Sequence, residues 1–144
     1  MKSRSSQIRD TPHGDRPIIF FDGVCAMCNG FVDLMLRADR QQVFLFAPIQ
    51  GETARELLPP IGEDPEQWSM VYLDERGIHD QSDASLEVYR RLGGLWSVLG
   101  WLRFIPRLVR DPVYRAIARN RYRLFGKRDT CRVPTAAERA RFLP

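Results

Sequence analysis

The sequence predicts an α/β domain, a small mixed β-sheet flanked by helices, with a helical C-terminal extension. Three observations carry this reading. Short apolar, β-rich runs alternate with segments of helical spacing over residues 17–92. Proline and glycine punctuate the junctions between them. After Gly94 the chain changes character and becomes apolar, aromatic and rich in arginine.

Taken in order, Ile18 to Phe21 is a continuous run of β-branched and aromatic residues, as in a strand covered on both faces. Asp22–Gly23 turns the chain, and Phe31, Leu34, Met35 and Ala38 then recur at helical spacing, giving a helix over about 25–39. VFLFAPI (43–49) is a second strand ended by Pro48. ETARELL (52–58) is a short helix stopped by Pro59 and Pro60. SMVYLD (69–74) is a third strand, and Gly77–His79 returns as a fourth after the turn DERG. Ser82 or Asp83 caps a helix running to Leu92, with Gly93 at its end. The order β-α-β-α-β-β-α makes one α/β layer. Beyond it, Asp111–Pro112 reads as the N-cap and first position of a last helix, with Tyr114, Ala118, Tyr122 and Phe125 on one face and Gly126 at its end. Trp96, Trp101 and Phe104 are expected in a satellite core. With Ile105, Ile117 and Phe125 they supply the apolar contacts that hold the extension on the layer.

A chain of 144 residues fits one domain. Residues 1–16 are polar and read as a disordered arm, 17–134 as the domain with its C-terminal helices from about 95, and 135–144 as a tail. No apolar run approaches the ~18 residues of a membrane span, and no signal-like segment follows the N-terminus, so the expected location is cytoplasmic. Charge is uneven: residues 101–144 hold 12 basic and 3 acidic side chains, a net +9, against −5 over residues 1–100. Either an acidic partner or internal pairing absorbs that asymmetry.

Two of the three cysteines, Cys25 and Cys28, sit on the strand-to-helix junction in a Cys-x-x-Cys pattern. A thiol at a helix start lies beside free backbone N–H groups and the positive end of the helix dipole, which favour thiolate. Cys25, expected to be the more exposed, would attack a substrate disulfide, and Cys28, one turn on, would resolve the mixed disulfide. A zinc site is the weaker reading. It wants four ligands, and only Cys131, His13 and His79 remain, with His13 in the arm. Asp22 ends the first strand three residues before Cys25. It is either a turn-forming residue or a partly buried carboxylate that tunes the thiols or relays a proton to the leaving thiol.

These residues carry a resemblance. FFDGVCAMCNGFVDLMLRAD, then SDASLEVYRRLGGLW, then IPRLVRDPVYRAIARNRYRLFGKRDTCRVP resemble the DCC family of predicted thiol-disulfide oxidoreductases, the DUF393 or YuxK-like proteins, over about residues 17–134. The resemblance implies a thioredoxin-like fold and reduction of protein or small-molecule disulfides. It implies Cys25 and Cys28 as the dithiol and Asp22 as the family aspartate. No bound cofactor and no metal are expected, and an unknown thiol reductant is expected as second partner. Thioredoxins place a cis-proline just before the strand facing the dithiol. Here Trp68–Ser69–Met70 occupy that place, with Pro65 several residues earlier.

Cys131 is expected to be a packed residue rather than a relay thiol. Arg119, Arg121 and Arg123 are expected on a solvated face or in salt bridges to the acidic part, ahead of binding an external anion. Packing of the aromatic residues is favoured over a peripheral membrane contact, and no nucleic-acid motif is present. The alternative to catalysis is a thioredoxin-like interaction module that docks an anionic partner or membrane surface through its basic helices.

Overall fold

The computed structural model describes residues 16–60, 62, 68, 70–127 and 134–144. His13, Pro65, Ser69, Cys131 and nearly all of the N-terminal arm lie outside the described residues. Strands β1 (Ile18–Phe21), β2 (Leu45–Pro48), β3 (Val71–Asp74) and β4 (Gly77–Asp80) form one sheet in the order β2-β1-β3-β4. β1 and β2 are parallel; β3 is antiparallel to both β1 and β4. Helices α1 (Ala26–Ala38), α2 (Glu52–Leu57) and α3 (Gln81–Leu92) complete the predicted β-α-β-α-β-β-α order. A four-stranded mixed sheet connected this way is the thioredoxin-like arrangement. α4 (Trp96–Leu99), a 3₁₀ turn (Gly100–Phe104) and α5 (Arg107–Phe125) follow.

The period of two along β1 divides the core. Ile18 and Phe20 face one side, with Leu45, Ala47, Ala54 and Leu58, beneath α2. Ile19 and Phe21 face the other, with Val32 and Met35 of α1 and Ala84 and Val88 of α3. β1 is therefore buried on both faces, which is why it reads as unbroken apolar sequence.

Three expectations need correcting. The last helix begins at Arg107, one turn before Asp111–Pro112, and Pro112 lies inside it. Proline there removes a single helical hydrogen bond, the one to the Leu108 carbonyl, and Leu108 is exposed, so water can satisfy that group. Asp111 is used otherwise: it accepts from Ser82 and pairs with Arg107 at 3.4 Å. Next, Ser82 and Asp83 do not cap α3, which starts at Gln81. Their side chains bind Asp111, Arg107 and Arg110, fastening α3 to α5. Last, the satellite core is small. Trp96 is half-buried and stacks on Tyr89 at 5.9 Å. Trp101, Phe104, Ile105, Ile117 and Phe125 are exposed, because the side of α5 turned to the domain carries Tyr114, Ala118, Arg121 and Tyr122 instead.

The C-terminal residues close the β2 side. Leu143 N–H donates to the Phe46 carbonyl at 2.8 Å, Phe142 stacks on Phe46, and Thr53 N–H donates to Pro144 O at 2.9 Å. A Cβ on Gly51 would stand 2.8 Å from the Pro144 carbonyl carbon, so only glycine fits there. Arg141 pairs with Asp39 at 2.5 Å, both buried, and Asp39 also accepts from the Val43 and Phe44 N–H groups.

Removing one partner of a buried pair strands the other charge. Arg141→Ala should therefore lower unfolding free energy by about 3 kcal/mol in urea titrations, and Asp39→Asn/Arg141→Met should lose less than that single change. A loss under ~1 kcal/mol for Arg141→Ala would show that the pair behaves like an exposed one.

Candidate active site

The chain leaves β1 at Phe21 and makes a tight turn, with Cys25 N–H donating to the Asp22 carbonyl at 3.2 Å. Cys25 is the N-cap of α1, in extended conformation, and its Sγ accepts from the Cys28 N–H at 3.5 Å. It thus does through sulfur what a serine or aspartate cap does through oxygen. Asn29, fully buried, braces the turn by donating to the Gly23 and Cys25 carbonyls at 2.9 and 2.8 Å. Both cysteines are free thiols.

Their proton affinities diverge. The Cys25 thiol is lowered to about 6, first because the Cys28 thiol donates to it; burial opposes this, and the Cys28 N–H and the Arg121 charge assist. Cys28 is pushed well up, because its proton is committed to Cys25, it is buried, and the Cys25 charge stands beside it. One thiolate and one thiol share a single proton between them.

The expected exposure is reversed. Cys25 is 0 % exposed and Cys28 is the less completely buried of the two. After α5 the chain turns at Gly126, whose φ of +93° suits glycine. It then crosses Cys25: Ala26 N–H donates to the Gly126 carbonyl at 3.2 Å, and Cys25 pairs with Lys127 as an antiparallel bridge.

Asp22 makes the turn-forming contact and also reaches the last helix. Its Oδ1 accepts from the Val24 N–H at 3.1 Å, the turn-forming contact, and from Gln50 Nε2 at 2.7 Å. Its Oδ2 accepts from Arg121 Nη2 at 3.0 Å and from the Tyr122 hydroxyl. Burial alone would raise its pKa; the donors Tyr122, Arg121, Gln50 and Val24 outweigh that and hold it below the usual carboxylate range. Arg121 Nη1 also donates to the carbonyls of Trp68 and Ala118 at 2.9 and 2.7 Å, and its guanidinium lies 4.7 Å from the Tyr122 ring centre. Of the three arginines weighed together, Arg119 and Arg123 are exposed, and Arg121 is the salt bridge to the acidic part.

Asp22, Cys28, Met70, Tyr114 and Arg121 line a cavity of about 20 Å³, room for about one water. A larger cavity of about 460 Å³, lined by Gln50, Arg55, Leu58, Pro60 and Trp68 among others, shares Trp68 with it. The Met70 N–H, in the place preceding β3, is occupied by the Tyr114 hydroxyl at 3.2 Å. No cis peptide bond occurs among the described residues. His79 is held by Asp74 at 3.0 Å, and among the described residues no three potential metal ligands come together. Asp22, Cys25 and Cys28 are brought together as the sequence expected. Gln50, Asn29, Arg121 and Tyr122 are additions that no local pattern singles out.

Thiolate absorbance near 240 nm should titrate with a midpoint near the Cys25 value of about 6 in the reduced protein, and vanish at that pH in Cys25→Ser. Cys28→Ala removes the largest stabiliser of the thiolate, so the midpoint should rise by roughly one unit or more toward the ordinary cysteine range. A midpoint unmoved by that substitution would mean the thiol pair is not what lowers Cys25.

Residues 19–127 match the model of the family described as DCC1-like thiol-disulfide oxidoreductase. The chain is 36% identical over 128 residues to the uncharacterized protein YuxK of Bacillus subtilis, covering 88% of this chain and 93% of that one. It is 37% identical over 118 residues to a chloroplastic DCC family protein of Arabidopsis thaliana, covering 81% of this chain and 69% of that one. No solved structure matches it significantly. A thioredoxin-like sheet, a strand-to-helix dithiol and a match that spans both the dithiol and the Arg121 helix agree: the chain belongs to the DCC1-like thiol-disulfide oxidoreductase family.

Proposed function

We propose that Cys25 and Cys28 are the working dithiol and that the chain reduces disulfides of a protein or small molecule. The observation that carries this is the split between a stabilised Cys25 thiolate and a protonated Cys28 on one helix turn. The Cys25 thiolate attacks one sulfur of the substrate disulfide, forming a mixed disulfide and releasing the other sulfur as thiolate. At that point Cys25 carries no charge and is only a weak acceptor for the Cys28 proton. Two of the causes that raised Cys28, the hydrogen bond to Cys25 and the Cys25 charge, disappear together. Burial remains, opposed by the Asp22 N–H and the Arg121 charge. Cys28 then gives its proton to the departing thiolate and attacks Cys25 Sγ. The second substrate sulfur leaves Cys25 as a thiolate that takes its proton from water, so the substrate departs with two electrons and two protons, and Cys25–Cys28 becomes a disulfide that an external thiol reduces.

Asp22 acts here as a positioning residue. Its lowered pKa makes it a poor proton acceptor at neutral pH; its use is to hold Arg121 where the guanidinium charge lowers both thiols. Attack on a bulky disulfide also needs the Gly126–Lys127 crossing displaced from Cys25.

In Cys28→Ser, substrate should remain attached at Cys25 and be recovered as a mixed disulfide by mass spectrometry. Cys25→Ser should form none and lose insulin-disulfide reduction entirely. Trapping at Cys28 in the Cys25→Ser protein, with wild-type-like rates, would reverse the assignment. Asp22→Asn removes the carboxylate that holds Arg121, so the guanidinium charge that lowers both thiols is no longer kept beside them and the pH profile of exchange should move to higher pH. An unshifted profile would reduce Asp22 to its turn.

A further inference from the structure

The outer surface of the C-terminal helices carries large apolar side chains beside unpaired arginines. Leu95, Trp101, Phe104 and Leu108 are 89, 70, 69 and 90 % exposed. The 3₁₀ period puts Trp101 and Phe104 on one side, ring centres 5.8 Å apart, with the Arg103 guanidinium 5.2 Å from the Phe104 ring centre. Leu102 and Ile105 fall on the next side and, with Val109, Val113 and Ile117, border a groove of about 480 Å³ against α3. Isolated exposed apolar residues need no explanation, but a continuous set of this size marks an interface.

Charge decides what covers it. Arg107 and Arg110 pair with Asp83 at 3.2 and 3.0 Å. Arg103, Arg115, Arg119 and Arg123 are exposed and have no carboxylate partner among the described residues. Arg115, Arg119 and Arg123 fall at spacings of four along α5, in line with Leu108 and about a third of a turn from the stripe Val109, Val113 and Ile117. A second copy fits poorly, since a two-fold interface would set this cationic face against itself. A rigid protein partner needs a hollow for each protruding ring, whereas a fluid layer needs none. Trp, Phe and Leu at the level of the acyl boundary, with arginine stems reaching back to the phosphates, is how an interfacial segment rests on lipid.

We infer that the face formed by residues 95–124 docks the protein on the surface of an anionic lipid bilayer, with Trp101, Phe104 and Leu108 inserted and Arg103, Arg115, Arg119 and Arg123 on the phosphates. The contact lies on the bilayer: no helix among the described residues is long and apolar enough to cross one. The aromatic residues that the sequence placed in a satellite core are thereby given a different setting.

Co-sedimentation of the full chain with vesicles tests this. Vesicles of phosphatidylcholine and phosphatidylglycerol in equal parts should bind the protein, phosphatidylcholine alone far less, and added salt should weaken binding. Trp101→Ser/Phe104→Ser should lose binding. Arg115→Gln/Arg119→Gln should lower the partition coefficient roughly thirtyfold, from about fivefold per arginine near an anionic surface. All four side chains are exposed, so thermal unfolding of both variants should match the parent. Failure to bind either vesicle overturns the proposal. So does binding that neither pair of substitutions weakens. A dimer by sedimentation equilibrium that Trp101→Ser/Phe104→Ser dissolves, without vesicle binding, also overturns it in favour of a second copy. Binding to poly-glutamate but not to vesicles overturns it in favour of an acidic protein partner.

Discussion

Asp22 and Arg121 are 99 residues apart in the chain and 3.0 Å apart in the fold, at 4 and 2 % side-chain exposure. Neither charge is tolerable there alone. An isolated carboxylate at the end of a buried strand would take up a proton, and an isolated guanidinium would be expelled to water. Together, and with Tyr122 and Gln50 on the carboxylate and the Trp68 and Ala118 carbonyls on the guanidinium, nearly every polar atom has work. The pair fixes where α5 sits, and α5 in turn fixes the Gly126–Lys127 crossing over Cys25. The position of the last helix is thus set by electrostatics at the dithiol rather than by apolar packing.

This arrangement ties the buried ion pair to the reactivity of the dithiol. The Arg121 charge favours a thiolate at either cysteine, and Asp22 holds that charge in place. A deeper thiolate would be a weaker nucleophile, since nucleophilicity falls with pKa. A missing guanidinium would leave Cys25 dependent on the helix N-terminus and Cys28 alone. The observed combination holds Cys25 at about 6, below neutrality and not far from it. That is where thiolate fraction and intrinsic reactivity are jointly useful.

Most of the sheet was legible because its signals are local. The alternation that divides Ile18 and Phe20 from Ile19 and Phe21, the Asp22–Gly23 turn and the cysteine spacing all fall within a dozen residues. The partners of the site were not legible. Seven arginines lie between residues 90 and 119, and nothing in the sequence marks Arg121, two residues on, as the buried one; only the register of α5 on the sheet decides. The burial of Cys25 has no local signal for the same reason, since what covers it arrives 102 residues later. The start of α5 departs from its local signal because Asp111–Pro112 is a strong cap pattern that the Ser82–Asp111–Arg107 contacts override.

The same register explains the inverted character of α5. An ordinary surface helix turns its apolar stripe inward and its charges out. Here the inward side is occupied by Tyr114, Ala118, Arg121 and Tyr122, because Asp22 requires a cation and a hydroxyl at that place. Val109, Val113, Ile117 and Leu124 lie about a third of a turn or more away and are left outward. Rotating the helix to bury them would leave Asp22 without Arg121, and stranding one buried charge costs about 3–5 kcal/mol. Burying a single such side chain returns roughly 1.5–3 kcal/mol. Two or three buried together would outweigh the loss of the pair, so packing alone favours the rotated helix. The rotation would also break the Ser82–Asp111 and Arg110–Asp83 fastenings and lift Lys127 from Cys25, and the sum of these polar contacts is what keeps an apolar face turned to the outside.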